Sequence, residues 1–433
     1  MLCSSRLIPT GFGHWFGAHS RCLTTFREHK QILQSSLRKV FVWGAGGEFQ
    51  LATEKPQDGS AHPLEVESLR GLDITSVTAG WVTTFALTSR GEVFGWGSNQ
   101  FWSLPTSSPD ASSSHFVKPT RLALLHPQSK EPLRIKKVLA GRAHTLFLDH
   151  GGSIFSVGMS DLGQLGNGVQ GESSFSKSPV AVEGPLADRV VIDIASGLDH
   201  NLALCRDGSV FSWGLAADGQ LGLGDPEEGK DIVDTPQQIQ HMATGEQVPE
   251  IAKVVAGSDN SALLTKDGQL LMFGSNACQQ LGISDEFDSV VAPFLMEGDL
   301  EGRRIVDVSL GGTCGFAIDE DRKVVVWGWN GDVGRLALPD SVDRQGCPIE
   351  NPVLSALRPL MIRAGGGHTI LVDHAGQFYS FGFGASGRLG LGAELQEKSV
   401  SSPTPIKLLN SPRSFSHIID LAAGFDHNVL VVE

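Results

Sequence analysis

Hydrophobic positions along this chain recur on a fixed ruler. Gly141-Arg-Ala-His-Thr-Leu-Phe-Leu-Asp runs as a strand toward a turn at His150-Gly151-Gly152, and Ser-Ile-Phe-Ser-Val returns to Gly158. Two apolar runs bracketing a glycine turn read as a β-hairpin. The same unit is written six times. A small residue or leucine plus glycine opens it (Gly80, Gly141, Gly197, Gly257, Gly311, Gly365), and an aromatic or apolar residue plus glycine closes it (Gly97, Gly158, Gly214, Gly274, Gly328, Gly382). The two glycines stand 17 residues apart in all six. Two half-copies remain, Trp43-Gly44 near the start and Ala423-Gly424 near the end.

Each hairpin turns at Arg90-Gly91, Gly151-Gly152, Asp207-Gly208, Asp267-Gly268 or Ala375-Gly376. Glycine there supplies the positive φ of a two-residue hairpin. Arg322 takes the glycine position in one unit, which implies a longer or strained turn. A second signature follows the closing glycine, as Gln164-Leu-Gly, Gln220-Leu-Gly, Gln280-Leu-Gly and Arg388-Leu-Gly. Weaker versions stand at Gln50-Leu-Ala, Ser103-Leu-Pro and Arg335-Leu-Ala. A variable, polar, proline-bearing stretch then leads to the next strand. Closing glycines lie 53 to 61 residues apart, room for the four short strands of a propeller blade. The terminal half-copies complete each other. The pattern therefore predicts an all-β, seven-bladed β-propeller over residues 39–433, closed by pairing N-terminal with C-terminal strands so that no sheet edge stays open.

Composition changes this picture at one end only. Residues 1–27 hold no acid, and residues 1–38 carry Arg6, Arg21, Arg27, Lys30 and Arg38 among many serines and threonines. That mixture is the composition of a mitochondrial transit peptide, and Gly11-Phe-Gly13 interrupts any secretory apolar run. Overall the chain is acidic, with 48 acidic against 34 basic residues and net charge −14, which argues against a general nucleic-acid coat. Against that background Lys118, Arg121, Lys130, Arg134, Lys136, Lys137 and Arg142 face only Glu131, a local +6 that follows the serine-rich stretch 106–114. These residues are candidates for contact with RNA or with an anionic membrane surface. Acids cluster elsewhere (Asp285, Glu286, Asp288, Glu297, Asp299, Glu301, and Asp225, Glu227, Glu228, Asp231, Asp234), suited to a basic partner protein.

Catalytic chemistry finds no foothold. His144, His200, His368 and His427 stand three residues after a repeat glycine, at the place where Thr83, Asn260 and Cys314 stand in other units. A place shared between blades implies a shared structural task, a ring nitrogen bonded to backbone of a neighbouring strand. The repeat glycines Gly80, Gly141, Gly197, Gly257, Gly311, Gly365 and Gly424 belong to the same structural set. Gly382-Phe-Gly-Ala-Ser-Gly387 mimics a dinucleotide loop but leads into no helix, and Gly224–Asp231 mimics a phosphate loop but ends in aspartate rather than serine or threonine and carries Asp225, Glu227 and Glu228 against phosphate. Six scattered cysteines offer no C-x-x-C pair. Neither a catalytic set nor a cofactor or metal site is expected.

Ala-Gly-Arg-Ala-His (140–144), Ser-Gly-Leu-Asp-His (196–200) and Trp-Gly-Leu-Ala-Ala-Asp-Gly-Gln-Leu-Gly-Leu-Gly (213–224) carry a resemblance to the regulator of chromosome condensation family of seven-bladed propellers, spanning residues 39–433. The Val-Phe-Val-Trp-Gly opening, Gly-Gly-Thr-Cys-Gly at 311–315 and the N-terminus resemble the family's mitochondrial branch. That resemblance implies a non-catalytic interaction scaffold, with a role in assembling the large mitochondrial ribosomal subunit and contact to its rRNA. As the alternative it implies guanine nucleotide exchange on a mitochondrial, dynamin-like fusion GTPase. The nuclear exchange role on Ran fits less well, for want of a lysine-rich localisation run. An ultraviolet receptor lacks support too, because Gly80-Trp-Val-Thr-Thr is the nearest approach to the repeated Gly-Trp-Arg-His-Thr of that branch.

The leader reading is directly testable. A fluorescent protein fused to residues 1–38 should enter mitochondria and be cleaved; a fusion that stays cytosolic contradicts it.

Overall fold

The computed structural model describes residues 38–105, 114–171, 174–225, 230–407 and 417–433. The leader expected over 1–38 thus lies outside the described residues except for Arg38, as do most of the serine-rich stretch 106–114 and residues 226–229 of the phosphate-loop mimic. Arg38 itself pairs with Asp73 and donates to the Ile74 carbonyl at 2.7 Å, so it is tied to the propeller.

Seven four-stranded antiparallel sheets form the seven blades. Blade 1 spans residues 74–121, blade 2 135–181, blade 3 191–239, blade 4 251–295, blade 5 305–350 and blade 6 359–405. Blade 7 is assembled from both ends, in the order Gln57–Glu65, Lys39–Gly46, His427–Val432, Ile418–Ala423. Its closing register runs from Lys39 opposite Val432 to Gly44 opposite His427. The 17-residue unit is the central hairpin of each blade, and the proline-bearing stretch supplies the outer strand, as the periodicity predicts. A short helix, Pro352–Ala356, was not legible from the repeat. Asn351 caps it by accepting from the Val353 and Leu354 amides, and proline at the first helical position fits the missing donor there.

The turns differ from the two-residue form expected. Three residues separate the pairs Thr88/Glu92, Asp149/Ser153, Cys205/Ser209, Thr265/Gln269, Asp319/Lys323 and Asp373/Gln377, each closed by one backbone bond from the first residue's amide to the last residue's carbonyl. This is a type I turn followed by a left-handed bulge residue, and the glycine φ belongs to that bulge. The turn at Arg322 is no longer than the others. Arg322 takes the left-handed position itself, at φ 67°.

Apolar side chains gather in seven clusters, one at each junction between consecutive blades. Burial alone is non-directional. Direction comes from a polar ladder that crosses four of these junctions. His144 Nε2 meets Asn201 Oδ1, His200 meets Ser261 Oγ, His368 meets Asn428 Oδ1 and His427 meets Thr84 Oγ1, each at 2.8 Å. The partners then donate to loop carbonyls: Asn201 to Gln164, Ser261 to Gln220, Asn428 to Arg388 and Thr84 to Gln50. Trp213, Trp43 and Trp96 give their indole N–H to three of those carbonyls, those of Gln164, Arg388 and Gln50. The histidines thus bond side chains of the next blade, His200 and His427 also meet the backbone of Asn260 and Thr83 there, and a loop carbonyl is reached one step later. Because each partner uses its hydrogen on the carbonyl, the histidine must carry its own proton on Nε2. The repeat glycine leaves room for the ring: a Cβ on Gly141, Gly197 or Gly365 would collide with Cε1 of the histidine three residues on.

Burial keeps these rings neutral. It pushes His200 and His427 down to about 3 and His368 to about 4, and lowers His144 as well. Inner strands add ion pairs between blades: Lys137 to Asp193 at 2.6 Å, and Lys253 and Arg363 to Asp307 at 2.7 and 3.0 Å. Burial would raise the Asp307 carboxyl, but the two cations together hold it below its ordinary value.

Two stability outcomes follow from this arrangement. Deleting Phe425–Glu433 removes Val429, Leu430, Val431 and Val432, all fully buried, and opens blade 7. The loss should be on the order of 6 kcal/mol or more, so a truncated protein melting with the full chain would contradict the closure. The histidines are depressed in the folded state, so unfolded chains bind protons first as pH falls below about 6.5, and stability drops from there toward pH 4. Each ring contributes up to about 1.4 kcal/mol per pH unit in that window. Urea midpoints at pH 7 and pH 5 should therefore diverge. His200→Asn, which copies Asn260 one blade on, should reduce the pH dependence by one proton's worth; an unchanged dependence would mean that His200 is not held neutral.

Candidate functional site

Strand order places two sets of loops at one end of the propeller. The repeat glycines lead from the innermost strands into the hairpins there, and the closing glycines lead out to the outer strands. We call this end the histidine-loop face. At its centre lies a cavity of about 110 Å³, lined by the seven repeat glycines and their small neighbours, with Trp81, Leu198, Ser258 and Phe425. Backbone bonds pass round this rim from blade to blade, such as Arg142 N to Leu198 O at 2.9 Å, Leu198 N to Ser258 O at 3.0 Å and Phe425 N to Gly80 O at 3.2 Å. The rim is a structural collar, and the repeat glycines and histidines are its parts. No group of three or more potential metal-ligating side chains occurs among the described residues.

Side chains round the collar divide the face into two sectors. Blades 2 to 4 present acid. Asp199 is buried and held by Arg142 at 2.6 Å and by Gln164 Nε2 at 3.2 Å, with half-buried Asp161, Asp218 and Asp259 around it. Burial first, then Asp218 and Asp199, push the Asp259 carboxyl up to about 6. Blades 5 to 7, with the edge of blade 1, present aromatic rings and guanidinium groups. Arg335 lies over Trp329 at 4.1 Å, Arg388 over Phe383 at 4.8 Å, and Trp81 meets Phe425 at 5.3 Å. Arg388 also pairs with Asp426.

The basic residues of 117–142 do not assemble into one surface. Lys118 and Arg121 lie on the outer strand of blade 1 and pair with Glu54 at 2.8 Å and Glu92 at 2.6 Å. Lys130 donates to the Pro127 carbonyl, and Arg134 shares a cleft with Arg121 at the opposite end of the propeller. Lys136 reaches the Ile192 carbonyl at 3.0 Å, and Lys137 reaches Asp193 and the Ile194 carbonyl on the inner strand of blade 3. Arg142 reaches the histidine-loop face, where it holds Asp199. Sequence proximity grouped what the strands then carried apart. The aromatic and guanidinium sector escaped the sequence reading. Its signal was present: arginine replaces the repeat's glutamine at 335 and 388.

The mimics resolve in the same way. Ala385–Gly387 is a single 3-10 turn with Ser386 in the left-handed region, so Gly382–Gly387 opens no phosphate-binding helix. No described helix is long and apolar enough to cross a membrane.

Comparison with known proteins agrees with this architecture. The ultraviolet-B receptor UVR8 of Arabidopsis thaliana is 28% identical over 354 residues, covering 82% of this chain and 74% of the receptor. The human probable E3 ubiquitin-protein ligase HERC6 is 31% identical over 290 residues, covering 66% of this chain but 26% of that larger protein. Among solved structures, human WBSCR16 superposes with a TM-score of 0.77 at 23% identity, covering 91% of this chain and all of the other. Prp20p of Saccharomyces cerevisiae gives 0.75 at 21%, with 91% of each chain covered. The regulator of chromosome condensation (RCC1) repeat model matches residues 39–87, 151–204, 207–264, 267–318 and 375–431, well over half the chain. A second model of the same repeat matches 74–101, 191–220 and 251–280. These segments fall on the blades described above, and the chain belongs to the RCC1 repeat family.

Proposed function

We propose that this propeller is a non-catalytic docking scaffold whose histidine-loop face binds a protein partner. The observation that carries the reading is the division of that face into an acidic sector and an aromatic–guanidinium sector around a collar of backbone. Aromatic rings and arginine are the side chains that anchor protein interfaces. The acid opposite them fixes the orientation of a partner that carries basic groups. Prp20p, whose fold is similar, is described with binding properties to Gsp1p and histones. Guanine nucleotide exchange is the finer form of this proposal: a docked GTPase would have its nucleotide site opened by contacts on this face, with no bond made or broken by the propeller. Fold alone does not separate exchange from scaffolding, because both use the same kind of surface.

Mitochondrial residence belongs to the same proposal and rests on the composition of residues 1–38. Ribosomal RNA is the less favoured partner. The cations that suggested it are engaged in ion pairs or carbonyl contacts in six of the seven positions, Lys118, Arg121, Lys130, Lys136, Lys137 and Arg142, rather than gathered along a groove.

The test pairs nucleotide release with binding. The purified chain should capture one of a panel of mitochondrial GTPases and speed release of a fluorescent GDP analogue. Asp218→Asn with Asp259→Asn should weaken capture at least tenfold. Capture should also strengthen as pH rises through about 6, because Asp259 gains its charge there. Lys118, Arg121 and Lys130 changed together to glutamine should leave capture intact. Ribosomal RNA crosslinked by the wild type and lost in that triple variant, with no GTPase captured, would replace the protein reading by the RNA reading.

A further inference from the structure

At two of the seven junctions a loop residue is bonded to an acid of the next blade, and at a third the loop residue is an arginine that meets no acid. At the step from blade 3's predecessor to blade 3, Gln164 donates to Asp199 at 3.2 Å, and from blade 6 to blade 7 Arg388 pairs with Asp426. In both, a loop residue of one blade meets an aspartate placed two residues after the repeat glycine of the next. Arg335 stands at the loop position of blade 5, and its counterpart in blade 6 is Gly367. The guanidinium has lost its acid.

The consequences show in the hydrogen-bond pattern. Arg335 Nε and Nη1 are shielded from water and have no hydrogen-bond partner, and Arg335 makes no ion pair among the described residues. Trp329 covers one side of the guanidinium at 4.1 Å. Thr313 Oγ1 and Thr369 Oγ1, on blades 5 and 6, lack partners as well. Cys314 occupies the histidine position here, so no ring nitrogen arrives to satisfy Thr369. Burial works against the arginine's charge and the nearby Asp332 favours it without forming an ion pair, so arginine keeps its proton with two of its nitrogens unpartnered.

Gly367 makes the gap accessible. A Cβ built there would lie 3.4 Å from Phe383 Cβ and 3.7 Å from Arg335 Nε, ordinary contacts with room for a small side chain. Its backbone is not left-handed, so an L-residue fits without strain. Phe383, 37% exposed, stands beside the opening as an apolar rim.

We propose that the junction of blades 5 and 6 is a socket for one carboxylate, the aspartate or glutamate side chain of a docked protein. The partner supplies in trans what Asp426 supplies in cis one blade on. This rests on the protein-docking reading above and names the chemistry of one contact in it. A carboxylate forms charge-assisted bonds to guanidinium N–H groups, and the ring behind Arg335 fixes the plane in which it arrives. Nucleic acid suits the place less well. Phosphate binding gains affinity from many cations in a row; here the neighbouring Arg388 is already neutralised by Asp426, and the whole chain is acidic.

The decisive substitution places the missing acid back. Gly367→Asp should melt several degrees above Gly367→Asn in the otherwise native full chain, and the advantage should vanish in an Arg335→Gln background. In parallel, a fluorescein-labelled peptide of alternating aspartate and leucine should bind the wild type and bind Gly367→Asp and Arg335→Gln at least tenfold more weakly. A 20-nucleotide single-stranded RNA should not displace it. An aspartate that gains nothing over asparagine, a wild type that ignores the peptide, or a peptide held equally by Gly367→Asp overturns the socket. Displacement by RNA overturns its assignment to carboxylate. The melting comparison involves no partner, so its failure leaves docking at Asp218 and Asp259 standing, whereas loss of GTPase capture with the melting result intact removes the docking reading alone.

Discussion

The ring depends on a hydrogen bond that crosses between blades and ends on a loop carbonyl. Seven apolar clusters hold the blades together, but apolar contact tolerates sliding. The histidine-to-side-chain-to-carbonyl path does not. Its members are buried, so a slipped register would strand an N–H, an amide and a carbonyl out of water, each at a cost of roughly 1–3 kcal/mol. The carbonyl of Gln164 serves two donors, Asn201 and the indole of Trp213, which uses both of its lone pairs. That double use ties the depth of one blade to the loop of its neighbour. It also explains why the repeat glycine precedes the histidine by three residues: the imidazole lies against its backbone, where a Cβ has no place.

This coupling is why so much of the fold was legible in the sequence. A residue that serves the junction must recur at each junction, so the glycine spacing and the histidine position repeat visibly. Blade count, closure from both ends and the structural task of His144, His200, His368 and His427 all follow from that recurrence. The details that were not legible depend on atoms rather than positions. Whether a histidine meets backbone or Asn201 depends on side-chain reach. Whether Gly91 serves a two-residue or a bulged turn depends on one backbone bond, and both turns ask for the same residue. Lys136 and Lys137 read as surface charge, because the strand gives no sign that the next blade's carbonyls and Asp193 lie within reach.

Charge is therefore used twice. In the wall of the ring it is spent pairwise between inner strands, as in Lys253–Asp307–Arg363, where a desolvated carboxylate is kept ionised by two cations. On the histidine-loop face it is left unbalanced by sector, with the Asp259 carboxyl pushed up to about 6 on one side and two Arg335 nitrogens without partners on the other. In a net-acidic chain, a guanidinium with two unpartnered nitrogens on this face stands out.

A seven-fold ring carries its own internal reference, so each departure can be weighed against the other copies. Most departures are compensated on the spot. Gly315 takes the place of the ladder's polar residue in blade 5, which makes room for the Trp327 indole, and Asn260 then donates straight to the Gln280 carbonyl at 3.4 Å. Phe273 and Phe381 replace tryptophans and give up the indole bond, at no cost in stranded donors of their own. The junction of blades 5 and 6 gathers several departures, at Cys314, Thr369, Arg335 and Gly367, and there it is a charged group that lacks hydrogen-bond partners. A half-buried guanidinium with two unpartnered nitrogens, set beside a glycine gap and an exposed phenylalanine, is placed to meet a counter-charge that arrives with a partner.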